Sequence, residues 1–307
     1  MIVVAGGSGT LGTRLLALLG DRGFDLRTLS RDPDNARSVV GSKVEIVPGD
    51  VTNAPALERA VAGARTVVSA ITGFGPARDV SPRTVDWQGN ANLIQAAKAA
   101  GVEHFILISV CQAAPDHPIE LFRMKYRAEE ELRASGLAWT IIRPTAYMET
   151  WVRFLGEPLL ETGTTRVFGR GENPINFVSA DDVAGFVHLA VVDQAMRGVS
   201  VDAGGPQNLT MSQVVETFQA VTGARGKVSH VPLPMLRVMS SVMKPFNPTM
   251  AGLARASVVM DTRDMTLDAS ETRARYPSVV MTRLADVVRK DYANRLPSAH
   301  QDGQGQA

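Results

Sequence analysis

Met1-Ile2-Val3-Val4-Ala5-Gly6-Gly7-Ser8-Gly9-Thr10-Leu11-Gly12 is the stretch whose reading decides the fold. A β-branched apolar run breaks into four glycines. An amphipathic segment follows, with Leu11, Leu15, Leu16, Leu18 and Leu19 on its apolar side. That order predicts a buried strand, a tight turn and a helix. Such a turn gathers backbone N–H groups and the positive end of the helix at one point, which suits a pyrophosphate. Glycine lets a ligand approach the backbone and lets the helix pack on the strand. The letters fit both Gly7-x-Gly9-x-x-Gly12 and Gly6-x-x-Gly9-x-x-Gly12. A packing turn without ligand can carry the same glycines; the place between strand and helix favours a dinucleotide site. The residues expected against the cofactor here are Gly6, Ser8, Gly9, Thr10, Leu11 and Gly12.

Outward from this stretch, strand-like runs recur at 26–30, 44–47, 66–70, 105–109 and 139–143, with helical patterns between them, notably 83–100 and 119–135. Alternation of this kind predicts parallel βαβ units and a doubly wound α/β sheet of Rossmann type. The runs of Ile, Val and Leu suit strands covered on both faces. Further on, residues 178–183 read as a strand end and a capped helix continuing to about Val192. A strand is expected at 198–202, and Thr210 is expected to cap a helix over 211–222. Residues 231–265 hold six methionines among scattered prolines. They read as irregular chain that packs a core, lines an adaptable pocket or meets a partner. A last helix is expected at 282–295. The predicted organisation is a dinucleotide-binding domain over 1–150, a mixed region over 151–297, and a polar disordered tail over 298–307. The mixed region is expected to complete the core and form a small C-terminal α+β substrate or partner subdomain.

Composition narrows the classes. The 307 residues are 45% hydrophobic and 21% charged, with a formal net charge of +1. Near neutrality offers no electrostatic basis for binding nucleic acid or an anionic membrane. Cys111 is the single cysteine and the five histidines are scattered. No internal disulfide or metal site is therefore expected. No apolar run approaches the roughly 20 residues that span a bilayer. A first strand starting at Met1 argues against a cleaved leader, and the expected location is the cytoplasm.

Three further segments bear on the cofactor. The second strand ends Thr28-Leu29-Ser30-Arg31. Uncharged Ser30 does not repel a 2′-phosphate and Arg31 can pair with one bidentately, so NADP(H) is preferred and NAD(H) is the alternative. In the alternative, Arg31 is a solvated charge and Asp32 or Asp34 reaches the ribose. After the third strand, Asp50 can accept from the adenine amino group while Val51 packs on the ring; Asp50 or Asn53 can equally cap the next helix. The fourth strand closes through Ala70, Ile71 and Thr72, whose size leaves room for a ribose and nicotinamide.

These motifs together resemble the NmrA-like branch of the atypical short-chain dehydrogenase/reductases. The likeness rests on Gly6-x-x-Gly9-x-x-Gly12, Ser30-Arg31-Asp32-Pro33, Gly49-Asp50-Val51 and Asn90-x-x-Leu93-Ile94-x-Ala96-Ala97. It continues in His104-Phe105-x-x-Ile108-Ser109, Lys125, Glu129-x-x-Leu132-x-x-Ser135-Gly136 and Trp139-Thr140-Ile141-Ile142-Arg143-Pro144. It spans residues 1 to about 205. The resemblance implies a dinucleotide-binding Rossmann domain with a small C-terminal subdomain, in a group holding NADPH-dependent reductases, redox-sensing regulators and assembly factors. Pro144, which ends the last of these runs, is expected among the cofactor-binding residues.

One departure stands out. Catalytic members of the wider superfamily carry Tyr-x-x-x-Lys, with both side chains on one helix face. Lys125 holds the lysine position, but Leu121 stands where the tyrosine belongs. Tyr126 points about 100° away. The resemblance offers Lys125 as ribose ligand or as general acid, and Ser109 as the residue that orients substrate. Tyr147 is a further candidate donor, or merely a helix start. Cys111 beside Ser109 reads as a packing residue more readily than as a redox thiol. The function expected is a reductase passing hydride to a small carbonyl, enone or quinone. The alternative is a non-catalytic sensor or assembly factor that meets a protein partner through 206–265.

Overall fold

Apolar β-branched runs are buried on both sides when helices cover a sheet, and the computed structural model, which describes residues 1–73 and 80–292, has that arrangement. Its strands are β1 Ile2–Ala5, β2 Leu26–Ser30, β3 Glu45–Pro48, β4 Thr66–Ser69, β5 His104–Ile108 and β6 Trp139–Pro144. Then come β7 Ala146–Tyr147, β8 Thr164–Phe168, β9 Ile175–Val178, β10 Val199–Ala203, β11 Gln207–Leu209 and β12 Lys227–Val231. Seven form one sheet in the order β10-β6-β5-β4-β1-β2-β3, with every pairing parallel. Strand order reverses between β1 and β4, and a crevice opens there at the carboxyl edge.

The helices are α1 Thr10–Asp21, α2 Pro33–Val40, α3 Ala54–Val61, α4 Asn90–Ala99, α5 Glu120–Ala134 and α6 Met148–Thr162. Beyond them lie α7 Ala180–Val192, α8 Met211–Thr222, α9 Leu233–Val242, α10 Pro248–Thr262, α11 Ser270–Arg275 and α12 Leu284–Asp291. Alternate residues of each strand feed opposite layers. Ile2, Val4, Ile106 and Ile108 join the leucines of α1 and Phe186 of α7 in one core. Val3, Ala5, Phe105 and Leu107 join Leu57 of α3, Leu93 of α4 and Leu132 of α5 in the other.

The remainder builds a small mixed sheet, β11-β9-β7, with one antiparallel and one parallel pairing, and a parallel pair, β12-β8. A third core links α6, α8 and α12 through Leu155, Phe218 and Val288. A fourth, small one sets Ile119 and Phe122 beside Ala256 and Val259 of α10. Ile119, Phe122 and Ala256 also line the crevice.

The expected strands of the main sheet all form, each end within a residue of its sequence reading. Three expectations change. The continuous helix at 83–100 is a π-helical segment, Pro82–Gly89, running into α4. A Cβ at residue 89 would come within 2.5 Å of Val51, so close packing marks the junction. The irregular region at 231–265 contains two helices: Pro234 and Pro248 sit in the first turns of α9 and α10, where a missing N–H costs nothing, and Pro232 and Pro245 lie outside both helices. The last helix begins at Leu284, because Thr282 donates from its N–H and Oγ to Asp182 instead. Its expected end at 293–295 and the tail at 298–307 lie outside the described residues. Among those described, no helix is long and apolar enough to cross a membrane, and no group of three metal-ligating side chains occurs.

Candidate functional site

Construction starts at the glycine loop. Gly6 has φ +89°, and a Cβ there would lie 2.7 Å from the Ala70 carbonyl. At Gly12 a Cβ would lie 2.1 Å from the Gly6 carbonyl, so this glycine seats α1 against the turn. Gly9 differs: the nearest atom to a Cβ is 3.4 Å away, and its backbone is extended at φ −81°, ψ 176°. Protein packing does not require a glycine at 9. The cradle that a side chain there would fill is open to a ligand at the start of α1, and the loop fits a dinucleotide on this ground.

At the end of β2, Ser30 and Asp32 close a tight turn through their own hydrogen bonds. The Asp32 carboxylate accepts from the Asn35 N–H and caps α2. Arg31 is exposed, its Nε 3.7 Å from Asp50 Oδ2. Asp50 Oδ1 accepts from both the N–H and the Oγ of Thr52. Val51 is buried against the second core. Arg31, Asp50 and Val51 thus gather at one end of the sheet edge.

At the other end, a cleft of about 330 Å³ brings together Gly9, Thr10, Leu11, Ala70, Ile71, Thr72, Ser109, Lys125 and Pro144. The expected nicotinamide-side residues all line it, whereas Ser8 faces a neighbouring polar pocket. Its remaining walls are mainly apolar and include Ile119, Leu121, Phe122, Trp151, Met260 and Met265.

Lys125 is 4% exposed. Its Nζ donates to the carbonyls of Ile71 at 2.8 Å and Ile108 at 2.9 Å, and pairs with Asp86 Oδ1 at 3.0 Å. Two of the ammonium's three protons go to the carbonyls, and the third contact is an ion pair. Asp86 comes from the π-helical segment, is fully buried and also accepts from the Gly73 N–H at 2.8 Å. Burial pushes its carboxyl above the usual range, against the opposing pull of Lys125.

Ser109 donates to Glu129 Oε1 at 2.5 Å. That fully buried carboxylate is further held by Arg143 and Arg133, and Glu129 in turn holds Arg143 above its ordinary value. Cys111 lies in the wall; burial, with Asp202 nearby, pushes its thiol up to about 11. The Tyr147 hydroxyl is buried with no hydrogen-bond partner among the described residues, and burial drives its pKa far upward. Tyr147 is also the last residue of β7 and the one before α6.

Sequence reasoning assigned no role to Asp86, Glu129 or Arg143. Glu129 was accessible in principle, since its four-residue spacing from Lys125 shares that lysine's helix face. Asp86 carried no such signal, because its role depends on a crossing between distant segments.

Comparison with known proteins sets this geometry in context. The sequence model of a family described as NAD(P)H-binding matches residues 6–194. An NAD(P)H azoreductase of Xenophilus azovorans is 29% identical over 224 residues, 73% of this chain and 74% of that protein. Photosystem II assembly factor Ycf39 of Synechocystis is 27% identical over 249 residues, 81% of this chain and 76% of that one. The fold superposes on an Escherichia coli NADPH-dependent quinone oxidoreductase in complex with NADPH at TM-score 0.73 and 21% identity, covering 95% of this chain and all of that one.

Proposed function

Because the chain belongs to the NAD(P)H-binding family of atypical short-chain dehydrogenase/reductases, we propose that it is an NADPH-dependent reductase of apolar, delocalised hydride acceptors, with quinones, enones and azo compounds as the class. The observation that carries this reading is the chemistry of the cleft wall. Among the described residues, its titratable side chains are Lys125, Cys111 and Tyr147. The lysine is engaged by two carbonyls and the Asp86 carboxylate, and the thiol and phenol are held neutral by burial. Neither the thiol nor the phenol has the pKa near neutrality that efficient proton donation demands. A simple ketone leaves a strongly basic alkoxide after hydride transfer and suffers from that lack. A quinone, enone or azo group leaves a delocalised anion that water can protonate.

The nicotinamide, when bound, supplies the hydride. Arg31 would hold the 2′-phosphate and select NADPH over NADH. Gly9, Thr10 and Leu11 would meet the dinucleotide at the start of α1, while Asp50 and Val51 border the adenine. Ala70, Ile71, Thr72 and Pro144 would flank the nicotinamide end. Lys125 holds the ends of β4 and β5 at their spacing; Ser109, anchored on Glu129, would orient the acceptor. Trp151, Met260 and Met265 would exclude water from its apolar body.

Leu121 in place of the tyrosine, with the exposed Met235, Val238 and Val242 of α9, favours a second reading. In it the chain senses the nucleotide state and meets a protein partner through 206–265. The deciding experiment follows NADPH absorbance with a naphthoquinone, an azo dye and an aliphatic ketone in turn. Oxidation is expected with the first two and not the third. Tight NADPH binding without oxidation by any acceptor would establish the sensor reading instead, and equal turnover of the ketone would sink the argument from the missing acid.

A further inference from the structure

Two hydroxyls line the cleft from neighbouring strands of the main sheet: Ser109, the residue after β5, and Thr145, the residue after β6. A hydroxyl has one proton and two lone pairs. Where that proton goes decides what the hydroxyl offers a ligand.

At Ser109 the proton goes to Glu129 Oε1, 2.5 Å away. Glu129 is fully buried and is held by Arg143 through Nε and Nη2 and by Arg133 through Nη2. Two guanidinium partners keep it a carboxylate, which only accepts. A charge-assisted bond of this kind is about twice as strong as a neutral one. A neutral carbonyl in the cleft therefore cannot draw the proton away. At Thr145 the proton goes to Asn176 Oδ1 at 3.0 Å. The Asn176 amide, 1% exposed, is fixed in that sense. Its oxygen also accepts from the Gly205 N–H at 2.9 Å, and its nitrogen faces the carbonyls of Gly205 and Leu267, each at 3.2 Å. Turned over, it would set oxygen against oxygen. Among the described residues, neither hydroxyl oxygen accepts a hydrogen bond.

We propose that Ser109 and Thr145 form a paired acceptor site, and that the preferred hydride acceptors carry an O–H or N–H donor beside the reducible group. The inference rests on the reductase reading above and narrows its substrate class to hydroxyl- or amino-bearing compounds. A bare carbonyl oxygen turned to this edge would meet lone pairs and stay unpaired in a mainly apolar cleft, which costs affinity. A donor satisfies one of the hydroxyl oxygens and fixes the orientation of the acceptor. The polarity is the reverse of a serine that donates to a substrate carbonyl: here Ser109 receives.

Steady-state NADPH oxidation by the full-length protein tests this with three quinones. They are menadione, the analogue with a hydroxymethyl group in place of its methyl group, and the methyl ether of that analogue. Only the second carries a donor, and the ether matches its effect on the ring. The hydroxymethyl compound is expected to exceed both others in kcat/KM by about tenfold. Thr145→Val and Ser109→Ala should each bring the alcohol-to-ether ratio toward one. The ratio is read within one protein, so a general loss of activity does not move it. A ratio below about twofold in the parent, or a parent-like ratio in both variants, would overturn the paired acceptor site. Turnover of none of the three quinones would instead overturn the reductase reading, and this inference with it.

Discussion

Gly9 and Gly12 are equivalent letters in the fingerprint and opposite in what a methyl group would meet. At Gly12 it would meet the Gly6 carbonyl at 2.1 Å; at Gly9 it would find only that same oxygen, at 3.4 Å. Gly12→Ala should therefore destabilise the protein by about 2 kcal/mol or more, through overpacking at a site that cannot relax. Gly9→Ala should leave the melting temperature nearly unchanged and lower NADPH affinity at least tenfold, about 1.4 kcal/mol. Thermal melts and titrations on the two variants separate fold from ligand. A Gly9→Ala protein that binds normally would contradict the open cradle. Lys125 teaches the same lesson at residue scale: its place was legible from its motif, but its three partners come from the chain just after β4, from β5 and from the π-helical segment. Only the folded chain reveals that two carbonyls and a buried carboxylate hold the ammonium.

At the scale of elements, the π-helical segment and the α9–α10 pair are where sequence and structure part. The apolar pattern at 83–100 suits one helix, yet Ser81 caps the start of Pro82–Gly89 and the segment delivers Asp86 to Lys125. Local π-helical geometry of this kind commonly accompanies functional sites. In 231–265, methionines and prolines suggested loose chain. Asn247 instead caps α10 through the Met250 N–H, and α10 brings Ala256 and Met260 to the cleft. If Met260 supplies apolar surface to the acceptor, Met260→Ser should raise KM for a naphthoquinone about fivefold, near 1 kcal/mol. NADPH affinity should hold. A parallel loss of both in titration and steady-state assays would mean that α10 supports the whole site rather than the acceptor.

For the whole molecule, the parallel sheet places buried polar groups where pH can reach stability. His104, 3% exposed, lies at the start of β5, its Nε2 2.9 Å from the Thr140 hydroxyl. That hydroxyl donates onward to the Met196 carbonyl, which leaves its oxygen to accept from a neutral imidazole. Burial, with Arg197 nearby, lowers the His104 pKa from 6.5 to about 4. The unfolded chain therefore binds the proton first. Stability from this group is complete above about pH 6.5 and is lost as pH falls toward 4, by about 3 kcal/mol. Asp182 opposes it: burial raises its carboxyl to about 6, so its ionisation removes stability as pH rises from about 4 to 6. The His104 contribution is isolated by comparing denaturant unfolding of the parent and His104→Gln at pH 7 and pH 4.5. The variant should show a smaller loss on acidification; an unchanged loss would remove His104 from the account.

The sequence by itself determined the doubly wound sheet, the glycine loop at its switch point, and the residues Ile71, Ser109, Lys125 and Pro144 at one edge. These follow from hydrophobic runs and from spacing within short segments, which act locally along the chain. Only the tertiary structure decided which glycine is not required by protein packing, and that Lys125 and Ser109 are each bound to a buried carboxylate. The physical reason is separation. Asp86 meets Lys125, and Glu129 meets Ser109, across stretches of chain that carry no mutual pattern. Whether a charge is neutralised or available is set by where every competing partner finally lies.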